Sequence, residues 1–228
     1  MFITGTDTGV GKTLVTAALL HTMANLGHRV VGMKPVAAGA ERVDGQWING
    51  DVALLRTHGS VEAPLSLVNP YLFRDPVAPH VAAERKGVRI AIPHILAAHS
   101  QLSRWADVVL VEGVGGFRVP LDERRDTADL AVALGLPVVL VVGMRLGCLN
   151  HTLLTVESIA ARGLRLAAWV ACRIDPDMSA YAENLSTLVA RVPAPLLAEI
   201  PHLRPAVPES AARFVSGKRL GELIASPA

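Results

Sequence analysis

The chain has 228 residues, 51% of them hydrophobic, so a single α/β domain with a sizeable core fits and disorder is argued against. Its 22 basic and 20 acidic residues leave a net charge of +2 with no dense basic block, which disfavours nucleic acid or an anionic membrane surface as the main partner. The two cysteines, Cys148 and Cys172, supply neither a disulfide framework nor a C-x-x-C metal spacing, and a reducing compartment follows.

The chain opens on a short apolar strand, Met1 to Gly5, that runs into Thr6-Asp7-Thr8-Gly9-Val10-Gly11-Lys12-Thr13 and then into a helical pattern from Leu14 to Leu26. Strand, Gly-rich loop and helix make a phosphate cradle. Gly9 and Gly11 permit the backbone angles that turn successive N–H groups inward, and the helix N-terminus adds its positive dipole. Lys12 is placed to reach the β and γ phosphates of a nucleotide and the Thr13 hydroxyl to meet a magnesium ion. The loop departs from G-x-x-x-x-G-K-[ST], because Thr6 takes the place of the first Gly and Gly5 sits one residue earlier. A lysine in the first turn of a helix is unfavourable against the dipole unless an anion binds there.

Arg29 to Met33 reads as a second buried strand, and Pro35 holds Lys34 extended at its carboxyl end. In an open parallel sheet that end borders the ligand crevice, which puts Lys34 on the rim of the cradle. Val36 to Gly50 reads as a loop, followed by a short helix, Val52 to Thr57, for which Asp51 is the expected N-cap. Ser60 to Ile92 reads as irregular, with one strand at Asn69 to Phe73, and is long enough to shape a substrate pocket.

A helix over Pro93 to Trp105 precedes a central strand, Asp107 to Val111, that ends in Glu112-Gly113-Val114-Gly115-Gly116. A carboxylate at that end, followed by glycines, suits the holding of magnesium and phosphates. Further elements alternate: a helix at Asp126 to Leu134, a strand at Pro137 to Gly143, a helix at Asn150 to Ala161 and a strand at Leu166 to Ile174. A helix at Ala180 to Arg191, a strand at Leu196 to Ile200 and one helix at Ser216 to Ile224 close the chain, with fraying expected beyond. This alternation calls for an α/β fold, a mostly parallel sheet with helices on both faces, as a single domain over residues 1–228, and the cradle at its start makes it P-loop NTPase-type.

The eight histidines form no metal-binding pattern, no G-x-S-x-G elbow is present, and neither cysteine has the context of a nucleophile. Strand and cradle from residue 2, in place of a basic-then-apolar leader, set the expectation of a cytoplasmic protein, and the most apolar run, Leu134 to Gly143, is too short to span a bilayer.

Four blocks together, Gly5 to Thr13, Lys34-Pro35-Val36-Ala37, Val111 to Gly116 and Gly147-Cys148-Leu149-Asn150-His151, resemble the dethiobiotin synthetase family. Trp169-Val170-Ala171, Pro193 to Leu197 and Glu199-Ile200-Pro201 extend the resemblance over nearly the whole chain. The resemblance implies ATP-dependent closure of a cyclic urea from 7,8-diaminononanoate and carbon dioxide. It implies Lys12 and Lys34 as the catalytic cations, and Thr13, Asp51 and Glu112 as the Mg2+ shell. ATP is expected on Gly9 to Leu14, Val10 included, and on Asp51 and Glu112 to Gly115, with Cys172, Arg173, Pro201, His202 and Leu203 around the base. The substrate is expected on Thr8, Lys34 and Ala38 and on Gly147, Cys148, Leu149 and Asn150. That last segment implies a homodimer with a shared site.

Three departures from the family pattern carry consequences. Gly9 stands where a Glu is frequent, Ala38 where a small hydroxyl residue is frequent, and Cys172 where an Asn reads the adenine edge. A thiol is a poor substitute for an amide that both donates and accepts. Two rivals remain open: a nucleotide-driven switch or partitioning ATPase, disfavoured by Asp7 where such proteins carry a second lysine, and another ATP-dependent ligase such as a cobyrinate amidating enzyme without its glutaminase part.

Overall fold

The computed structural model describes residues 1–225, so the fraying expected at the extreme C-terminus lies mostly outside the described residues. β1 (Phe2–Gly5) runs through the cradle into α1 (Lys12–Asn25), and β2 (Val30–Met33) follows. Next come β3 (Val36–Ala37), β4 (Glu41–Val43) and β5 (Gln46–Ile48), then α2 (Gly50–His58) and α3 (Leu65–Val68). β6 (Tyr71–Leu72), α4 (Pro79–Arg85) and α5 (Ile92–Leu102) lead to β7 (Val108–Glu112). α6 (Thr127–Leu134), β8 (Val138–Gly143), α7 (Cys148–Ala161), β9 (Leu166–Cys172), α8 (Tyr181–Arg191) and β10 (Leu196–Ile200) complete the alternation. α9 (Pro208–Ala212) and α10 (Gly217–Ala225) close the described chain.

Six strands pair in the order β10-β9-β8-β1-β7-β2, every pair parallel. Runs such as Val138 to Gly143 are buried along their whole length because helices cover both faces. The alternation of side chains is visible in the core: Phe2 and Val138 pack on one face with α5 and α6, while Ile3, Val139 and Val141 pack on the other against α1. Leu140, Val142 and Trp169 form a third cluster beneath α7 and α8.

The connections are more ordered than the sequence pattern suggested. The expected loop from Val36 to Gly50 contains β3, which pairs with β6 in parallel, and an exposed antiparallel hairpin of β4 and β5. Its strands are too short and too exposed to leave a two-residue periodicity. The segment expected to be irregular, Ser60 to Ile92, holds α3 and α4, and its strand shrinks to Tyr71–Leu72. A second helix, α9, precedes the one expected after Arg204; it packs against α1, with Ala211 fully buried.

Asp51 is not the cap of α2. The cap is Asn49, whose Oδ1 accepts the Val52 N–H at 3.3 Å, while its Nδ2 donates to the carbonyls of Ala38 at 3.1 Å and Gly39 at 3.4 Å. A cap of this kind is worth about 1 kcal/mol. It leaves the Asp51 carboxylate free for other partners. α7 begins two residues earlier than expected, so Cys148, Leu149 and Asn150 form its first turn rather than a loop after Gly147.

Candidate active site

Register explains how distant residues meet. β1 lies between β7 and β8, and Met33 of β2 pairs with Val111 of β7, so Lys34 and Glu112, each one residue further along, stand level at the carboxyl edge. The cradle leaves β1 at the same edge. Lys34 Nζ donates to Glu112 Oε1 at 2.5 Å and to Asp51 Oδ2 at 2.9 Å. Thr13 Oγ1 donates to the same Glu112 oxygen at 2.8 Å, which joins the cradle to the Lys34 pair. Lys12 and Lys34 therefore border one and the same cavity at this edge.

The backbone of Lys34 is held as firmly as its ammonium. Its N–H donates to the Val68 carbonyl at 2.9 Å, and its carbonyl accepts from Asn69 Nδ2 at 2.6 Å. Asn69 is buried, and sequence reasoning missed its part; the only local signal was an Asn before Pro70 in a segment read as a strand.

Glu112 is 0% exposed and Lys34 3% exposed. Burial works against the Lys34 charge, but Glu112 and Asp51 outweigh it and hold its pKa above the ordinary lysine value. For Asp51, burial is likewise overcome by Lys34, and its pKa is lowered. Lys12 Nζ instead donates to a neutral acceptor, the Asp7 carbonyl, at 2.8 Å. Burial first, then the neighbouring Lys34 charge, lower its pKa to about 8.

A group whose pKa rises on binding an anion favours binding below its free value and loses that contribution as pH climbs past it. Triphosphate affinity is therefore expected to decline as pH rises through about 8, with proton uptake at that pH. Titration calorimetry in two buffers of different ionisation enthalpy measures the uptake; the same observed heat in both would show that Lys12 is already fully charged.

These groups line a cavity of about 740 Å³. Of the residues expected from sequence, Thr8, Gly9, Gly11, Lys12, Thr13, Leu14, Lys34, Ala38, Asp51, Glu112, Val114 and Gly115 border it. Val10 does not: its side chain is buried against Gly5 and Gly143, which leaves its backbone to the cradle. Gly113 also turns away, because its N–H donates to the Ile3 carbonyl at 2.9 Å in continuation of the sheet ladder. Pro76 to Pro79 and Val119 form an apolar wall that the sequence pattern did not reveal.

The residues expected around a base, Cys172, Arg173, Pro201, His202 and Leu203, are not among those that border this cavity. The Cys172 sulfur packs on the cradle, where a Cβ at Gly11, whose φ is +90°, would meet it at 2.6 Å. Arg173 lies over the Tyr181 ring at 4.6 Å and donates to the Pro176 carbonyl at 2.8 Å. His202 Nδ1 is 3.3 Å from the Arg173 carbonyl; Pro201 and Leu203 flank it in the segment after β10. Burial pushes the Cys172 thiol up to about 11 and also raises that of Cys148, so both remain protonated and neither is suited to nucleophilic attack.

The donor set suits Mg2+. Thr13, Asp51 and Glu112 offer hard oxygens, and Glu112 Oε2 is buried with no hydrogen-bond partner among the described residues. Two carboxylates and a hydroxyl, completed by water and phosphate oxygens, match an ion that keeps much of its hydration.

A strand-to-helix cradle with a Lys-Thr end, beside a strand-end carboxylate in a parallel sheet, defines a P-loop nucleotide-dependent protein. A family model described as an AAA domain matches residues 1–210. The chain is 57% identical over 211 residues to the ATP-dependent dethiobiotin synthetase BioD of Aromatoleum aromaticum, covering 92% of this chain and 94% of that one. It belongs to the ATP-dependent dethiobiotin synthetase family. Among solved structures, the MinC:MinD cell division protein complex of Aquifex aeolicus matches with a TM-score of 0.61 and 15% identity, covering 100% of this chain and 96% of that one. MinD of the same organism matches with a TM-score of 0.60 and 17% identity, covering 100% and 97%. At these identities the likeness is one of fold.

Proposed function

We infer that the chain is an ATP-dependent cyclo-ligase that converts 7,8-diaminononanoate and carbon dioxide into dethiobiotin, a step of biotin biosynthesis, with ADP and phosphate as the other products. Kinship at 57% identity supports the reaction. The observation in the fold that carries it is the buried Lys34–Glu112 pair, joined to the cradle through Thr13. A pure binding module does not need such a pair of fixed cations around a γ-phosphate.

In the reaction, one substrate amine attacks carbon dioxide and loses a proton to give a carbamate. A carbamate oxygen then attacks the γ-phosphorus as ADP departs. The second amine attacks the carbonyl of the resulting mixed anhydride and loses a proton, and phosphate leaves with closure of the ring. Each step gathers negative charge on oxygen, which fixed cations stabilise without a protein nucleophile. Lys12 is assigned to the transferred phosphoryl, and Lys34 to the space between carbamate and γ-phosphate. Thr13, Asp51 and Glu112 would hold Mg2+, which supplies charge neutralisation on the phosphates.

Ala38 and the wall of Pro76 to Pro79 are assigned to the diamine and its aliphatic chain. Gly147, Cys148, Leu149 and Asn150, at the start of α7, are assigned to the substrate carboxylate of a partner copy. A homodimer is supported by Leu146, 92% exposed just before α7, and Leu154, 58% exposed on α7 itself, a helix whose buried residues are Cys148, Thr152 and Ile159. One domain and a cytoplasmic location complete the reading; among the described residues no helix is long and apolar enough to cross a membrane.

Phosphate release measured with ATP, with and without diaminononanoate and bicarbonate, tests the assignment. Release that depends on both, with dethiobiotin formed in equal amount, is expected; release indifferent to the diamine would favour a switch ATPase. The same assay with CTP and GTP is expected to give kcat/KM within about tenfold of ATP, because Cys172 offers no paired donor and acceptor to the base. A preference for ATP of more than about a hundredfold would place base reading elsewhere.

A further inference from the structure

We propose that Arg145 is a positioning residue for the nucleotide, acting by neutralising Asp7 in the loop of the phosphate cradle. The inference rests on reading that cradle as a triphosphate site. Asp7 holds the front of the loop in three ways. Its carbonyl accepts Lys12 Nζ at 2.8 Å, its Oδ1 accepts the Thr8 N–H at 2.7 Å, and its Oδ2 pairs with Arg145 Nη2 at 2.6 Å.

A carboxylate in a loop built to receive a triphosphate is an electrostatic conflict. The arrangement resolves it with a cation from elsewhere in the chain, 138 residues away. Arg145 follows β8, the strand that pairs with β1, so its guanidinium comes to the cradle from the neighbouring strand end. The Gly143 N–H donates to Thr6 Oγ1 at 3.4 Å and ties the same strand end to the loop. Both side chains of the Arg145–Asp7 pair are 43% exposed. At that exposure the pair adds little to folding stability, so its consequence lies in the field that an incoming polyanion meets.

Removing the guanidinium leaves an uncompensated negative charge beside the phosphates; removing both charges does not. An Asn at position 7 still offers Oδ1 to the Thr8 N–H. Binding of a non-hydrolysable ATP analogue with Mg2+ is measured by calorimetry on the wild type, Arg145→Gln, Asp7→Asn and the double variant, beside thermal melts. Arg145→Gln is expected to raise Kd about tenfold, less so at high salt, and the double variant to return within about threefold of wild type.

Arg145→Lys keeps the charge and is expected to stay within about threefold, which covers the case in which Arg145→Gln folds poorly. An unchanged Kd in Arg145→Gln, a double variant as weak as that single, or a tenfold loss in Arg145→Lys would each overturn the proposal. A wild type that fails to bind the analogue would instead remove the triphosphate reading beneath it.

Discussion

Lys34→Ala is expected to lower kcat by about a thousandfold while nucleotide affinity changes less than about threefold. Groups aimed at charge that develops in the transition state affect turnover, whereas groups that grip the ground state affect binding. The nucleotide is gripped by the cradle, whose N–H groups and Lys12 are untouched by this change. The Lys34 ammonium is instead fixed between Glu112 at 2.5 Å and Asp51 at 2.9 Å, so it needs no reorganisation when a carbamate oxygen becomes a nucleophile. Single-turnover chemistry and analogue binding separate the two parameters. Normal turnover in the variant would reduce Lys34 to a strand end.

Glu112→Gln is expected to destabilise the fold by about 3 kcal/mol and to lower Tm by roughly 9 °C, because one partner of a buried ion pair loses its charge. Asp51 still faces the ammonium, but its side chain is 44% exposed and compensates less. Adding Lys34→Met to this change removes the stranded cation, so the double variant is expected to be more stable than Glu112→Gln alone. Urea unfolding measures all three; a loss under about 1 kcal/mol in Glu112→Gln would show that water already screens the pair.

The pH dependence has a definite sign. Lys34, with its pKa raised above 10.5, contributes fully below that value and loses its contribution as pH climbs through the folded value. Asp51, with its pKa lowered below 3.8, contributes above that value and loses it as pH falls through the folded one. The stabilisation from this cluster therefore spans the range between 3.8 and 10.5.

The partitioning ATPase considered as a rival from sequence shares the sheet, and the likeness to MinD shows how far the fold alone goes. At 17% identity it speaks of architecture, whereas the curated relative at 57% speaks of family. Asp7, where a partitioning ATPase carries a lysine, is itself occupied by the Arg145 pair.

The cradle, the buried strands and the principal helices were legible because each depends on neighbours within one turn or one strand: Gly11 before Lys12-Thr13, the valines of β8, Asp126 and Asp129 forming the capping box of α6. Short elements left no such trace. The hairpin of β4 and β5, the helices α3, α4 and α9, and the cap at Asn49 arise from contacts made after the chain has folded back, as when Asn49 reaches the Ala38 carbonyl. For the same reason Asp51 read as a cap, although its carboxylate faces Lys34.

Backbone chemistry over a dozen residues was thus enough to specify a phosphate-binding turn, and alternating strands and helices enough to specify a parallel sheet. Which residues share the site was settled by strand order and register. With β1 inserted between β7 and β8, and Met33 level with Val111, residues 78 and 99 apart in the chain meet around one carboxylate oxygen of Glu112. Hydrogen bonds across a sheet, and burial that forbids an unpaired charge, impose that meeting; no pattern within a single segment encodes it.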